Sequence, residues 1–112
     1  MPAHGTVLLV IDETVIREAG RRLRDAAPLA RVILFGSHAR GDARHHSDLD
    51  FLVVEPDVSD GAEESVRLRR TLRGLGVPAD VIVISERHAE DWRDVRGSLV
   101  HTALQEGRVL AG

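Results

Sequence analysis

Residues 31–54 read RVILFGSHARGDARHHSDLDFLVV, two apolar runs separated by a polar loop. The apolar run Val32–Phe35 predicts a buried strand that ends on Gly36-Ser37. A polar loop then leads to Asp48-Leu49-Asp50 at the start of a second apolar run, Phe51–Val54, which predicts a second strand. The loop joins two strands, and it carries the residues capable of chemistry.

Asp48 and Asp50 are expected to face one space, because side chains two residues apart on a strand share a face, about 6.5 Å apart along the backbone. Two bare carboxylates at that separation repel each other, and one of them tends to keep its proton. A divalent cation between them removes the conflict. All-oxygen ligation suits Mg²⁺, which leaves its other positions to water and substrate phosphates. The acids therefore indicate a Mg²⁺ site that acts on a phosphate ligand.

The turn at the other end of the loop offers a place for that phosphate. Gly36 lets the backbone approach a ligand closely, and Ser37 supplies a hydroxyl and is expected to be the N-cap of a short helix. Free N–H groups in the first turn of that helix favour anions. Arg40 adds a guanidinium that can hold phosphate oxygens in bidentate fashion. The sequence therefore predicts a triphosphate cradle opposite the acids.

The pattern G-S, ten residues, D-x-D resembles the signature of the polymerase-beta-type nucleotidyltransferase superfamily. The fuller form GSHARGDARHHSDLD, residues 36–50, is similar to the minimal nucleotidyltransferase branch of that superfamily. The resemblance implies a nucleotide-binding set made of Gly36, Ser37, Arg40 and Ser47. It also implies ATP as the substrate.

The resemblance further implies a third carboxylate on a neighbouring strand. Residues 80–84, DVIVI, read as a β-branched strand with Asp80 at its start. In the superfamily this residue completes the metal site and takes the proton from the attacking hydroxyl. Asp48, Asp50 and Asp80 are thus the expected catalytic residues and the ligands of two Mg²⁺ ions.

Bulk properties limit the function further. The chain has 112 residues, 43% of them hydrophobic, which predicts a single domain over 1–112 with one modest core. It has no cysteine and no lysine, which excludes thiolate chemistry, Schiff-base chemistry and a P-loop.

A net charge of −3 gives no electrostatic steering of the whole protein toward nucleic acid. No apolar segment reaches membrane-spanning length and no basic leader is present, so a soluble cytoplasmic protein is expected.

Four helices and two strands are expected outside the central stretch. The helices cover residues 13–27, 62–75, 86–94 and 99–106, and the strands cover 80–84 and 109–110. The expected N-caps of the first, third and fourth of these helices are Asp12, Ser85 and Ser98. Residues 6–11 could be an edge strand or a packed lead-in. The expected fold is α/β (α+β): a small mixed sheet with helices mainly on one face, the polymerase-beta-type nucleotidyltransferase fold. The C-terminal residues 97–110 also resemble the closing helix and strand of minimal nucleotidyltransferases.

Three other features of the sequence have competing interpretations: the loop histidines, the tryptophan and an arginine cluster. His38, His45 and His46 lie near the acids, but they lack the H-x-x-x-H spacing of a zinc site and are expected to be solvated, with nucleotide or partner contact left open. Trp92 is expected to anchor the core, with a partner surface as the alternative. An arginine cluster is expected to form a solvated helix face, with an acidic partner or RNA as the alternative: Arg67, Arg69, Arg70 and Arg73.

The resemblance implies transfer of AMP from ATP to a hydroxyl, with release of pyrophosphate. Family members of this size resemble antitoxins that act on helical HEPN ribonuclease toxins, so the expected acceptor is a tyrosine of such a partner. This chain contains no tyrosine of its own. The alternative is a catalytically weak or inactive nucleotide-binding module that neutralises or scaffolds its partner by binding. Transfer to a small molecule such as an aminoglycoside ranks below both.

Overall fold

The computed structural model describes residues 12–43 and 48–112. Within these residues the chain forms, in order, α1 (Glu13–Ala26), β1 (Arg31–Phe35), α2 (Ser37–Arg40), β2 (Leu49–Glu55), α3 (Gly61–Arg70), β3 (Ala79–Ser85), α4 (Glu86–Trp92), α5 (Leu99–Glu106) and β4 (Arg108–Ala111). The expected segment at residues 6–11 lies outside the described part of the chain. So do Ser47, His45 and His46.

The strands form one mixed sheet in the order β3-β2-β1-β4, which confirms the predicted fold class. β1 runs antiparallel to both β2 and β4, whereas β2 and β3 are parallel and are connected through α3. Because β1 and β2 run in opposite directions, the end of β1 lies beside the start of β2. The start of β3 lies at the same edge, since β2 and β3 run in the same direction. This edge carries the candidate site.

The two faces of the sheet have separate apolar layers because side chains alternate along each strand. On one face, residues such as Leu34, Phe51 and Val53 pack with Leu23 of α1 and Leu68 of α3. The two longest helices among the described elements therefore cover this face.

The opposite face has a smaller apolar layer. Ile33, Leu52 and Val54 pack with Ala89 of α4 and Ala103 of α5. Asp50 and Asp80 stand two residues before Leu52 and Ile82, so alternation places both acids on this more lightly covered face.

Three predicted helix caps are confirmed. The Asp12 carboxylate accepts the Val15 N–H, and the Ser85 and Ser98 hydroxyls accept the N–H groups of the third residue beyond them, at 3.1 Å in each case. Each bond satisfies one of the amide donors that a helix start leaves without an intrahelical acceptor.

The predicted helix over residues 62–75 corresponds to α3, which ends at Arg70 and is therefore shorter than expected. The Thr71 hydroxyl donates to the Leu68 carbonyl at 2.6 Å, and the following turn continues with i→i−3 bonds such as Leu72 N–H to the Arg69 carbonyl. A side-chain hydroxyl that bonds back to the helix competes with α-helical pairing. Gly74 follows with a φ of 88°, in the left-handed region that favours glycine.

The core interpretation of Trp92 is wrong, since 44% of its surface is exposed. Its ring stacks on that of His88, one helical turn earlier, with ring centroids 5.9 Å apart. Over residues 12–43 and 48–112, no helix combines the length and the apolar character that crossing a bilayer requires.

Candidate active site

Gly36 makes the turn between β1 and α2. Its φ is 79° and its ψ is −158°, a conformation that L side chains rarely adopt. A Cβ built on this residue would also overlap Oδ2 of Asp50 on the neighbouring strand. Glycine is therefore required here for two reasons, its backbone angles and the close approach of a carboxylate.

Ser37 is the first residue of α2 rather than its N-cap, so the predicted cap is wrong. Gly36 occupies the cap position and its carbonyl accepts the N–H groups of Ala39 and Arg40, both at 3.0 Å. Because the backbone angles of Gly36 are not helical, the helix begins only at Ser37. The Ser37 carbonyl in turn accepts from Gly41 and Asp42, each at 3.0 Å, which closes the short helix.

The strand register brings two of the predicted acids side by side. Asp50 pairs with Asp80 across the parallel β2–β3 ladder, and with Phe35 at the end of β1. Residues paired in this way project from the same face of a sheet. Asp48 lies just before β2, two residues from Asp50, and is exposed. Leu49 between them is fixed by donating its N–H to the Pro78 carbonyl at 3.0 Å.

The charges of neighbouring residues act on Asp50. The pKa of Asp50 is raised above its ordinary value, first by burial and then by the negative charges of Asp80 and Asp48. His38 and Arg40 act in the opposite direction because they contribute positive potential at the same carboxylate. These interactions place the acids, the histidine and the arginine in one electrostatic neighbourhood.

Arg40 is held by two carboxylates. Its Nε donates to Asp42 at 3.2 Å, and its Nη1 donates to Oε1 of Glu106 at 3.0 Å. The same Oε1 accepts the Gly36 N–H at 3.2 Å. Sequence reasoning missed Glu106, because it lies 56 residues after Asp50 and belongs to no part of the G-S and D-x-D pattern.

The donor set of the acids suits a hard cation, since it consists of oxygen atoms alone. After burial, the negative charges of Asp80 and Asp48 are the next causes of the raised pKa of Asp50, which fits carboxylates converging on one place. Among residues 12–43 and 48–112, however, no group of three or more His, Cys, Asp or Glu side chains is already arranged to hold a metal ion. The backbone thus brings the candidate ligands together, and side-chain rotation would have to complete a coordination sphere.

A groove of about 660 Å³ lies elsewhere, beyond the far end of β2. It is lined by residues of the 57–70 segment, including Arg67 and Arg70, and by none of the three acids. This groove is therefore separate from the candidate site, where the acids, the Gly36 turn and Arg40 converge at the other end of β2.

Comparison with known proteins agrees with this arrangement. The sequence pattern of the nucleotidyltransferase domain matches residues 16–109. MJ0604 of Methanocaldococcus jannaschii, named as a candidate protein adenylyltransferase, is 33% identical over 102 residues, which are 88% of this chain and 97% of that protein. A bifunctional uridylyltransferase/uridylyl-removing enzyme of Bordetella avium is 34% identical over 88% of this chain, but the match spans only 12% of that enzyme's length.

Solved structures show the same relationship. A minimal nucleotidyltransferase superposes with a TM-score of 0.58 at 33% identity, covering 86% of this chain and 92% of that one. A toxin–antitoxin structure with AMP-PNP superposes with a TM-score of 0.53 at 26% identity, covering 91% of this chain and 74% of that one. With its fold, its converging acids and a match over residues 16–109, the chain belongs to the nucleotidyltransferase domain family.

Proposed function

We propose that this protein transfers AMP from ATP to a hydroxyl group of a partner protein, a tyrosine of a HEPN-type ribonuclease toxin, and thereby acts as its antitoxin in the cytoplasm. The observation that carries the proposal is the register that pairs Asp50 with Asp80, beside Asp48 and the Gly36 turn. The toxin–antitoxin structure with AMP-PNP and the similarity to MJ0604 support the nucleotide and the class of acceptor.

The three acids are the proposed ligands of Mg²⁺. When bound, the cation would neutralise charge on the leaving pyrophosphate and lower the pKa of the acceptor hydroxyl. The chemistry needs no covalent enzyme intermediate. The acceptor oxygen forms a bond to the α-phosphorus as the bond from that phosphorus to the pyrophosphate oxygen breaks, and a carboxylate takes the hydroxyl proton.

Each remaining residue has a proposed task. Asp80 accepts the hydroxyl proton, since it lies at the exposed end of β3 where a partner can approach. The Ser37 hydroxyl and the Arg40 guanidinium bind phosphate oxygens, and Gly36 lets the backbone come close to them. Ser47, outside the described residues, completes the proposed nucleotide-binding set. Positioning and charge stabilisation supply most of the rate in such displacements.

Labelling of a partner tests the proposal. The protein is incubated with Mg²⁺, a HEPN-type partner and ATP labelled at the α-phosphate, with labelled UTP in a parallel reaction. Label is expected in the partner from ATP, and its appearance is expected to fall at least roughly 100-fold in Asp48→Asn, Asp50→Asn and Asp80→Asn. Asp91→Asn, which removes an exposed carboxylate on α4, is the matched control and should label at the normal rate.

Two outcomes would contradict the proposal in different ways. If label passes from UTP and not from ATP, the protein is a uridylyltransferase. If the partner binds tightly, remains unlabelled, and is bound equally by wild type and Asp48→Asn, the protein is a binding module without turnover.

A further inference from the structure

We propose that Glu106, at the last position of α5, is a positioning residue for the nucleotide site: a single carboxylate oxygen fixes both the Gly36 turn and the Arg40 guanidinium in the arrangement that a triphosphate needs. This inference rests on the proposed function. It adds to the site a residue about 70 positions along the chain from the turn, on a different element.

The hydrogen bonds of Glu106 join two parts of the candidate cradle. Oε1 accepts the backbone N–H of Gly36 at 3.2 Å and the Nη1 donor of Arg40 at 3.0 Å. An acceptor shared by two donors sets the distance and the angle between them. A charged acceptor also makes both bonds stronger than neutral ones would be.

The side chain of Glu106 is less exposed than that of Arg40. The side chain of Glu106 is 24% exposed, whereas that of Arg40 is 45% exposed. Arg40 donates through Nε to Asp42 and through Nη1 to Glu106. Carboxylates therefore hold two of the guanidinium nitrogens, while about half of the Arg40 side chain remains exposed where a phosphate group can approach.

Gly107 makes this placement of Glu106 possible. A Cβ at residue 107 would overlap the Ala103 carbonyl and the Ile33 side chain of β1. The absence of a side chain lets the end of α5 lie directly against β1, next to the turn at Gly36. Because α5 ends at Glu106 and Gly107 packs against β1, the Glu106 carboxylate lies beside the end of β1.

Calorimetric binding of ATP and of AMP, each with Mg²⁺, tests the inference. If Glu106 orients the groups that hold the outer phosphates, Glu106→Ala raises the dissociation constant for ATP by roughly tenfold and changes that for AMP by less than about twofold. Glu106→Gln keeps an acceptor oxygen and is expected to stay within about threefold of wild type for both ligands. Glu90→Ala removes a glutamate of α4 that pairs only with Arg93 among the described residues, and should bind like wild type.

A double-mutant cycle separates positioning from general stability. In an Arg40→Ala background, Glu106→Ala should weaken ATP binding by less than it does alone, because the part of its effect that passes through the arginine is already lost. The inference fails if Glu106→Ala binds ATP as tightly as wild type or more tightly, or if ATP and AMP are weakened by the same factor. If wild-type protein does not bind ATP with Mg²⁺ at all, the proposed function fails and this inference fails with it.

Discussion

Oδ2 of Asp50 lies so close to the α-carbon of Gly36 that the structure leaves no room for a Cβ at residue 36. The two residues are 14 positions apart, yet the β1–β2 register makes them neighbours. The turn that is proposed to hold phosphate and the acid that is proposed to hold the cation are therefore one packed unit, and a change in either should disturb the other.

Gly36→Ala should be more damaging than an ordinary glycine substitution. Two costs combine: the strain of φ 79° and the collision with Asp50. We expect a loss of roughly 2–4 kcal/mol in the free energy of unfolding and at least a roughly 100-fold loss of nucleotidyl transfer. Urea denaturation and the labelling assay measure the two effects.

Gly74→Ala is the matched control for that substitution. Gly74 also has a positive φ, 88°, but a Cβ there meets nothing within 4 Å. It should lose only about 1 kcal/mol and keep its transfer rate. Equal losses in the two variants would mean that contact with Asp50 is unimportant.

Asp50→Asn should abolish transfer and yet stabilise the fold in metal-free buffer. The folded-state pKa of Asp50 is raised by burial and by Asp80 and Asp48, so folding favours the protonated form. The resulting penalty is absent at low pH and develops as pH rises above the unfolded pKa. The melting temperature of Asp50→Asn with EDTA should therefore exceed that of wild type at pH 7 and match it at low pH.

Adding Mg²⁺ should reverse the order of the melting temperatures of wild type and Asp50→Asn. A cation that binds only the folded state raises its stability. Wild type should melt at a higher temperature as Mg²⁺ is added, whereas Asp50→Asn, which lacks a central ligand, should not respond. A wild-type melting temperature that does not depend on Mg²⁺ would argue against the proposed metal site.

The far end of β2 should give the protein a second, separate pH dependence. Burial and a hydrogen bond to Glu64 raise the pKa of Glu55 to about 7, while bonding to Arg67 and to Glu55 lowers that of Glu64 to about 2. The Oε2 atom of Glu55 is buried and has no hydrogen-bond partner among residues 12–43 and 48–112. Its ionisation therefore takes place in a site that solvates the charge poorly.

The sign of the Glu55 effect follows from its raised pKa. Between the unfolded value of 4.5 and about 7 the folded state binds more protons than the unfolded state, so stability falls as pH rises through that window. Glu55→Gln removes the penalty and should raise the free energy of unfolding by about 1 kcal/mol at pH 8, with little effect at pH 4. Glu63→Gln, at an exposed position of α3, should have little effect at either pH.

Much of the fold and of the site could be predicted from the sequence because the signals were local. Asp12 and Ser98 precede amphipathic helices and cap them as expected. The strands at 32–35 and 80–84 were indicated by continuous apolar runs. The pairing of Asp50 with Asp80 was expected from the family resemblance, and the parallel register confirms that they are neighbours.

The features that could not be predicted depend on tertiary contacts. Glu106 reaches the turn only because Gly107 lets α5 lie against β1, and no local pattern encodes that approach. Trp92 was expected in the core because large aromatic residues are usually buried, but it is the last residue of the short helix α4 and is exposed to solvent. The end of α3 is set by one hydroxyl, that of Thr71, within an otherwise continuous helical pattern.

The packing of α1 on the sheet can be tested by comparing substitutions of a buried and an exposed leucine. Leu23 is 0% exposed in the layer that packs α1 on the sheet, whereas Leu29, in the connection to β1, is 79% exposed. Leu23→Ala removes buried methyl groups and leaves a cavity, so it should cost roughly 3 kcal/mol in the free energy of unfolding. Leu29→Ala should change that quantity by less than about 0.5 kcal/mol. Urea denaturation of the two variants in one buffer measures the difference, and similar losses in both would place α1 elsewhere than on this face of the sheet.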